Sequence, residues 1–479
     1  MPLLIGVDLG TTTTTAIAID AETGEVVSTA TGRTASPVTS LDDRRKGRSE
    51  WDTEQLIADG LHTLRDLTEQ LGPRANETAS IGLTGQQHGM VLLDSHQQPL
   101  TPFINWQDQR GNEHQPGAKS SWVAAARERL GDESVRRTGC RPNTGFMATT
   151  LYWMKQNDCL PPGGRAAFLS DLFASCLTGI RPVCEPSMAG SAGVLNVHTR
   201  DWDVDAIDSL GLERSLFPEV READSPLGRL APAAADIGLP DGIPVAISIG
   251  DHQASFAGSV ADRSDSVFVN VGTGAQVAVY TTGSDFEAPI EFRPFPIRGN
   301  LLSSVGLAGG WSFQVLEQFI RSIGTDVFGV DVDGPLYSRL TELAATADSR
   351  SDGLVCEPQF SGTRSDPDRR GKLTGISSSN LTPANLVRAL LEGAAAHHRA
   401  AWDQVVTVLG QRQTRLVGAG NGIRANVALR ECIESAFQLS VATTAHREEA
   451  AFGAALVGGV AGQVYPSLED AAHIMRYDE

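Results

Sequence analysis

Four short segments combine residue types that do chemistry when brought together. Asp8-Leu-Gly-Thr-Thr12 joins an acid, a glycine and two hydroxyls at the end of an apolar run. A glycine at such a tip lets the backbone approach a phosphate closely. Gly10 and the N–H and hydroxyl groups of Thr11 and Thr12 would bind its oxygens. Asp8 beside them would hold a metal ion through water. The same residues also suit a plain hairpin with surface threonines. A second copy, Asn270-Val-Gly-Thr-Gly274, tips the choice towards a nucleotide. Two loops built on Gly10 and on Gly272, Thr273 and Gly274 would grip a polyphosphate from both sides of a cleft. No Walker A pattern occurs, so a P-loop is excluded.

The apolar run Pro244 to Ile249 leads into Gly250-Asp-His-Gln253. Ligands of α/β sheets bind at strand ends, where Asp251 would serve as general base for a hydroxyl nucleophile. A Gly-Asp pair is equally a helix start signal. Trp106-Gln-Asp-Gln-Arg110, with Gln86-Gln-His88 upstream, sets an indole beside acid, amide and guanidinium groups. An indole face stacks on the C–H side of a sugar, and the polar groups bind its hydroxyls. A capped helix start with a half-buried tryptophan uses the same residues. In Gly418-Ala-Gly-Asn-Gly422 the glycines let a flat ligand lie on the backbone, and a following helix presents N–H groups. A sterically tight turn has that composition too. There is no H-E-x-x-H, paired-cysteine zinc spacing or G-x-S-x-G elbow. His397 and His398 are adjacent and cannot share one helix face as metal ligands.

Strands and helices must alternate to position these groups. Leu3 to Leu9, Ala16 to Asp20 and Val26-Val27 read as a β-meander. Thr53 to Leu71 has helical spacing of its leucines, and Ala79 to Leu83 is a short buried strand. The class is therefore α/β. Val267 to Tyr280 repeats the opening: aligned on the turn, Asp8 meets Asn270, Gly10 meets Gly272, Thr11 meets Thr273 and Ala16 meets Ala278. Two similarly built domains follow, 1–243 and 244–479, with a seam near Leu239-Pro-Asp-Gly-Ile-Pro244. Later, Pro383 to Leu409 and Ile423 to Phe437 read as helices around a strand at Leu416, and Ala450 to Val460 as a buried helix.

The 479 residues suggest two or three domains at ~150 residues each. The net charge of −19 repels phosphate backbones and makes nucleic acid an unsuitable partner. Small anions need only one nest of N–H groups. Six cysteines without a C-x-x-C pair fit a reducing compartment. The start carries no basic n-region, and no apolar stretch reaches the ~18 residues of a membrane span. A cytoplasmic protein, monomer or homodimer, without membrane contact is expected.

In order and spacing, these motifs resemble the FGGY carbohydrate kinases, a branch of the actin-like ATPase superfamily. The resemblance runs from Ile5 to about Gly459 and includes Ser49-Glu-Trp-Asp52 and Leu391-Glu-Gly-Ala-Ala395. It implies two actin-like, ribonuclease-H-type domains flanking a central cleft, with sugar mainly on the first and ATP mainly on the second. Asp251 becomes the catalytic base, and Thr11, Thr12 and Thr273 sit in the phosphate loops. Asp8 positions Mg²⁺ through water. Gly418, Ala419, Gly420 and Asn421 line the adenosine site, and Gln87, His88, Trp106, Asp108 and Arg110 face the sugar. The chain departs from many relatives in carrying Thr13, Thr14 and Thr15 where they have a lysine or arginine. Charge on the phosphoryl group must then be met by Mg²⁺, backbone N–H groups or a residue from elsewhere.

Gln87 in place of a methionine, Gln107 in place of an asparagine and Gln253 two residues after the base favour sedoheptulose as the sugar. Asp366-Pro-Asp-Arg-Arg-Gly371 looks more like the xylulose branch, which stays as the alternative. Gly362-Thr-Arg-Ser-Asp-Pro367 is shortened and lacks the glutamate usual in that branch. A sugar sensor or a chaperone-like ATPase is a further alternative for such a fold. It would need a helix-turn-helix or a peptide-binding domain, and the chain shows neither.

Overall fold

The structure, a computed structural model, describes residues 1–479 except 35–36, 285, 287–289, 348, 361, 364–365, 367–368 and 479; for 233–235 and 349 it describes the backbone alone. Arg364, Ser365, Pro367 and Asp368 of the two segments compared with the xylulose branch thus lie outside the described residues.

The first sheet begins with the predicted meander: β1 (Leu3–Leu9), β2 (Thr13–Asp20) and β3 (Val26–Arg33), each antiparallel to the last. Helix α1 (Thr53–Leu71) starts where Asp52 accepts the Gln55 N–H and buries Leu56, Leu64, Leu67 and Leu71. It returns the chain to β4 (Thr78–Gly85), parallel to β1. A long insertion then builds its own core around Met90, Phe168, Trp202 and Phe217. Next come β5 (Pro226–Arg229), β6 (Pro244–Ala246), β7 (Ile249–Gly250) and helix α2 (Asp251–Ala257). The sheet order is β5-β6-β4-β1-β2-β3, with β7 also against β4.

The second sheet holds β8 (Ser266–Val271), β9 (Ala275–Thr281), β10 (Glu291–Pro294) and β11 (Asn300–Leu307). Helix α3 (Gly310–Ser322) follows, then α4 (Pro383–Leu409), β12 (Arg415–Ala419), α5 (Val427–Phe437), β13 (Val441–Ala442) and α6 (Glu449–Ala461). The order is β10-β11-β9-β8-β12-β13, with β12 parallel to β8. Both sheets thus place a parallel strand on one side of an antiparallel meander, giving the two-domain α/β fold that the resemblance implies.

Three details differ from the sequence reading. Val7 faces Ala16 but Phe268 faces Ala278, so the alignment of Ala16 with Ala278 is off by one. The cause is length: residues 10–13 separate the paired Leu9 and Thr14, while only 272–274 separate Val271 and Ala275. The helix expected over Ile423 to Phe437 breaks at Asn426, whose side chain caps α5 by accepting the Leu429 N–H at 2.9 Å. The strands after the expected seam at 239–244 still pair in the first sheet, and the chain first reaches the second sheet at Ser266.

Helices α2 and α6 lie between the two sheets. Their core joins Leu4, Ile17 and Ile19 of the first sheet to Phe268, Ala278 and Val417 of the second. Helix α6 is rich in small residues and is buried all round from Ala451 onwards. A Cβ at Gly6 would collide with the Ala451 carbonyl, one at Gly82 with that of Ala454, and one at Gly453 with that of Ala254. Backbone therefore meets backbone at this junction.

Candidate active site

The ends of β1, β4, β7 and β8 meet at a cleft cavity of ≈ 470 Å³ lined from both domains. Asp8, Gln87, His88, Trp106 and Asp251 line it on one side, and Asn270, Gly272, Thr273, Gly274 and Gln276 on the other. Asp8 and Asp251, 243 positions apart in the sequence, thus share one space.

Asp251 is the first residue of α2, and Gly250 is the N-cap with no side-chain cap bond. The Gly-Asp pair does start a helix, with Asp251 in its first turn rather than at the N-cap. Its Oδ1 accepts the His252 N–H at 2.8 Å. Burial nonetheless pushes its carboxyl up to about 6. Burial likewise pushes Asp8 up to about 7, and the charges of Asp251 and Glu448 add to the rise. Groups with these values exchange protons near neutrality, as a general base must.

Asp8 Oδ1 is buried and has no hydrogen-bond partner. An orphaned hard oxygen next to a second carboxylate fits a divalent cation such as Mg²⁺. No group of three or more His, Cys, Asp or Glu side chains able to hold a metal occurs among the described residues. Such an ion would rely on Asp8 together with water and phosphate oxygens.

The two loops expected to hold phosphate are built differently. A Cβ on Gly274 would meet nothing within 4 Å, and one on Gly272 only the Gly274 carbonyl oxygen at 3.9 Å. This loop leaves its tip bare for a ligand. It rests on the start of α3: the Gly310 and Trp311 N–H groups donate to the carbonyls of Gly272 (2.9 Å) and Thr273 (2.8 Å). Gly309 and Gly310 admit that contact, because a Cβ on either would press on residues 272–275. The pair of glycines before an apolar helix was a legible signal that the motif reading passed over. In the first loop, a Cβ on Gly10 would come 2.7 Å from the Thr13 carbonyl, so Gly10 serves the turn itself. Thr34 holds that turn by donating its backbone N–H to the Thr12 carbonyl (3.0 Å) and its hydroxyl to that of Gly10 (3.2 Å).

The residues expected to face the sugar divide into those at the cavity and those behind it. Trp106 is 44% exposed, and its Nε1 donates to Thr11 Oγ1 at 2.9 Å. His88 adopts φ 76°, a costly value for a non-glycine residue. Ser191 holds it there: His88 N donates to Ser191 Oγ (3.0 Å) and Nδ1 to the Ser191 carbonyl (2.8 Å). Its ring stacks on Phe146 at 4.0 Å. Gln87 Nε2 donates to the Ser187 carbonyl (2.9 Å) and to Gln253 Oε1 (3.2 Å).

Asp108, Arg110 and Gln253 do not line the cavity. Asp108 is fully buried and accepts from Ser49 N and from Arg110 N, Nε and Nη2. Arg110 also reaches Glu50 at 2.6 Å. This closed ionic cluster ties Ser49 and Glu50 to the turn that presents Trp106. Gln253 is fully buried and donates to the Pro294 carbonyl at 3.1 Å, behind Gln87. Gly418, Ala419, Gly420 and Asn421 also fall outside the cavity lining. Gly418 faces Val441 and Ile423, and Gly420 (φ +81°) closes on Asn270 and Val271. Motif reading gave no hint of Glu291 and Arg293, which line the cavity from β10.

The N-terminal domain model of the FGGY family of carbohydrate kinases matches residues 3–258, and the C-terminal domain model matches residues 270–462. A sedoheptulokinase of Mus musculus is 28% identical over 490 residues, covering 95% of this chain and 97% of the relative. A glycerol kinase of Acidovorax sp. (strain JS42) is 27% identical over 495 residues, covering 98% and 92%. The crystal structure of a xylulose kinase from Rhodospirillum rubrum superposes with a TM-score of 0.86 at 25% identity, covering all of this chain and 93% of the other. Matched in both halves, the chain belongs to the FGGY family of carbohydrate kinases and is a phosphotransferase that uses ATP and Mg²⁺.

Proposed function

We propose that this kinase phosphorylates a primary hydroxyl of a ketose, sedoheptulose before D-xylulose, with Asp251 as the base. The observation that carries the mechanism is the shared cavity. Asp251, at a strand end and pushed up to about 6, faces the same space as Trp106, His88 and the bare loop Gly272–Gly274. The sugar lies against the Trp106 indole, with hydroxyls towards Gln87 and His88. Asp251 takes the proton of the hydroxyl that attacks the γ-phosphoryl group of ATP. Phosphoryl transfer needs mainly positioning and charge neutralisation, and residues converging from two domains supply the first. Bound Mg²⁺ supplies the second by neutralising phosphate charge. ATP lies mainly on the second domain, with its phosphates on Gly272, Thr273 and Gly274 and on the N–H groups after Gly10, and its adenosine towards Gly420 and Asn421.

Sedoheptulose leads because Gln87, whose amide oxygen can accept a hydroxyl, lines the cavity where the xylulose branch usually carries a methionine. Xylulose is the second reading, favoured by the Asp366–Gly371 segment. Six free cysteines support a reducing, cytoplasmic setting. No described helix is long and apolar enough to cross a membrane. The test is coupled ADP release across sedoheptulose, D-xylulose, glycerol and gluconate. A tenfold or greater preference for D-xylulose replaces sedoheptulose by the second reading, and activity on glycerol or gluconate alone ends the ketose assignment.

A further inference from the structure

Strand β10 is an edge strand of the second domain, yet it touches the sugar side of the cleft. Arg293 is 5% exposed, and both it and Glu291 line the cleft cavity. Its Nε and Nη2 donate to Glu291 Oε2 at 3.0 and 2.9 Å, and its Nη1 donates to the Gly190 carbonyl of the first domain at 2.7 Å. A guanidinium has five N–H donors, and these bonds use three. Two donors remain, one on each terminal nitrogen. The guanidinium carbon lies 5.7 Å from the centre of the Phe146 ring, and Phe146 stacks on His88. Arg293 therefore stands next to the wall formed by His88 and Gln87.

Two uses suit a cation in a kinase cleft: the transferring phosphoryl group or the sugar. Strand register bears on the first. Arg293 faces Leu301, whereas Ala275, at the end of the second phosphate loop, faces Leu307. Six residues of strand separate the two levels, or ~20 Å at about 3.3 Å per residue. An arginine side chain cannot bridge that distance. Arg293 thus does not reach phosphates seated on the second loop.

We propose that the Glu291–Arg293 pair forms the remote end of the sugar site, binding hydroxyls at the end of an open-chain polyol away from the phosphorylated carbon. This rests on the ketose reading above. A paired guanidinium suits neutral hydroxyls: its charge is already balanced, and two donors are left on a residue that lines the cleft. A five-carbon sugar held at the same reacting end leaves those donors to water. A site built to bond a hydroxyl discriminates strongly against the ligand that lacks it.

The experiment compares kcat/KM for sedoheptulose and D-xylulose in the wild type, Arg293→Met, Arg293→Lys and Glu291→Gln. Arg293→Met is expected to lower kcat/KM for sedoheptulose by about 10–100-fold and for D-xylulose by less than about threefold. Arg293→Lys keeps the charge but loses the fork and should fall between the wild type and Arg293→Met. Glu291→Gln frees the guanidinium and should shift the same ratio without touching the contact to Gly190. Equal losses on both sugars in all three variants mean that the pair only braces the Gly190 and Phe146 contacts, and that overturns the proposal. An unchanged ratio overturns it too. Should Arg293→Met not fold, the two conservative variants carry the same comparison. A wild type inactive on every ketose would instead remove the ketose reading, and this proposal with it.

Discussion

The Trp106 indole N–H donates to the Thr11 hydroxyl at 2.9 Å, so the proposed platform for the sugar is tied to the proposed first phosphate loop. Trp106 sits on a turn locked from behind by Asp108, Arg110 and Glu50, and Thr11 on a turn locked by Thr34. The bond couples two otherwise separate braces. A neutral hydrogen bond of this kind is worth ~0.5–1.5 kcal/mol. In a double-mutant cycle with Trp106→Phe and Thr11→Val, kcat should fall about 2–10-fold for each single change, with little further loss in the double. Fully additive losses would show that the two residues act independently.

Asp251→Asn is expected to fold normally and to lose ~10²–10⁴ in kcat. A general base works only as a carboxylate, and burial places its proton loss at about 6. In the wild type kcat/KM for the sugar should therefore fall about tenfold per unit below pH 6 and level off above it. A profile flat down to pH 5 would count against Asp251 as the base.

At Asp8 the sign runs the other way for stability. Its folded-state value of about 7 lies above the ordinary 3.8, so folding favours the protonated acid. That contribution is complete below pH ~4 and is lost as pH rises through 7. Without Mg²⁺, Asp8→Asn should melt a few degrees above the wild type at pH 8, and the gap should close towards pH 5. Adding Mg²⁺ should raise the wild-type Tm more than that of Asp8→Asn, and turnover of the variant should be lost. Equal Mg²⁺ shifts in both proteins would separate Asp8 from the cation.

The two loop glycines should fail differently. Gly272→Val puts its side chain into open cleft and is expected to keep the wild-type Tm while raising the KM for ATP at least about tenfold. Gly10→Val presses on the Thr13 carbonyl and should lower Tm as well. Calorimetry of ATP binding beside a melting curve checks both. Normal ATP binding by Gly272→Val would remove the second loop from the phosphate site.

Much of this arrangement is legible in the sequence because the signals are local. Leu3–Leu9, Thr53–Leu71 and Pro383–Leu409 announce themselves by apolar period and cap. Asp8, Asp251 and the two Gly-Thr loops stand out because turn chemistry restricts which residues fit. What sequence hides is direction. Asp108 and Arg110 look like sugar ligands by type, yet each is the other's partner, with Ser49 and Glu50 completing the set. Gln253 likewise spends its amide on Gln87 and Pro294. Arg293 escapes notice for the opposite reason: it sits in an unremarkable edge strand, and only sheet pairing carries it to the cleft.

The all-round burial of α6 bears on how the chain is made. Gly6 and Gly82 are covered by Ala451 and Ala454, and even the nearer pair is separated by some 370 residues of synthesis. At ~5–20 residues per second, the first sheet waits on the order of 20–75 s for its cover. During that time its strands β1 and β4 present an apolar face with bare backbone and no partner. A nascent chain in this condition invites binding by chaperones. The yield of this enzyme should therefore respond to translation rate and to chaperone supply more than the stability of the finished molecule would suggest.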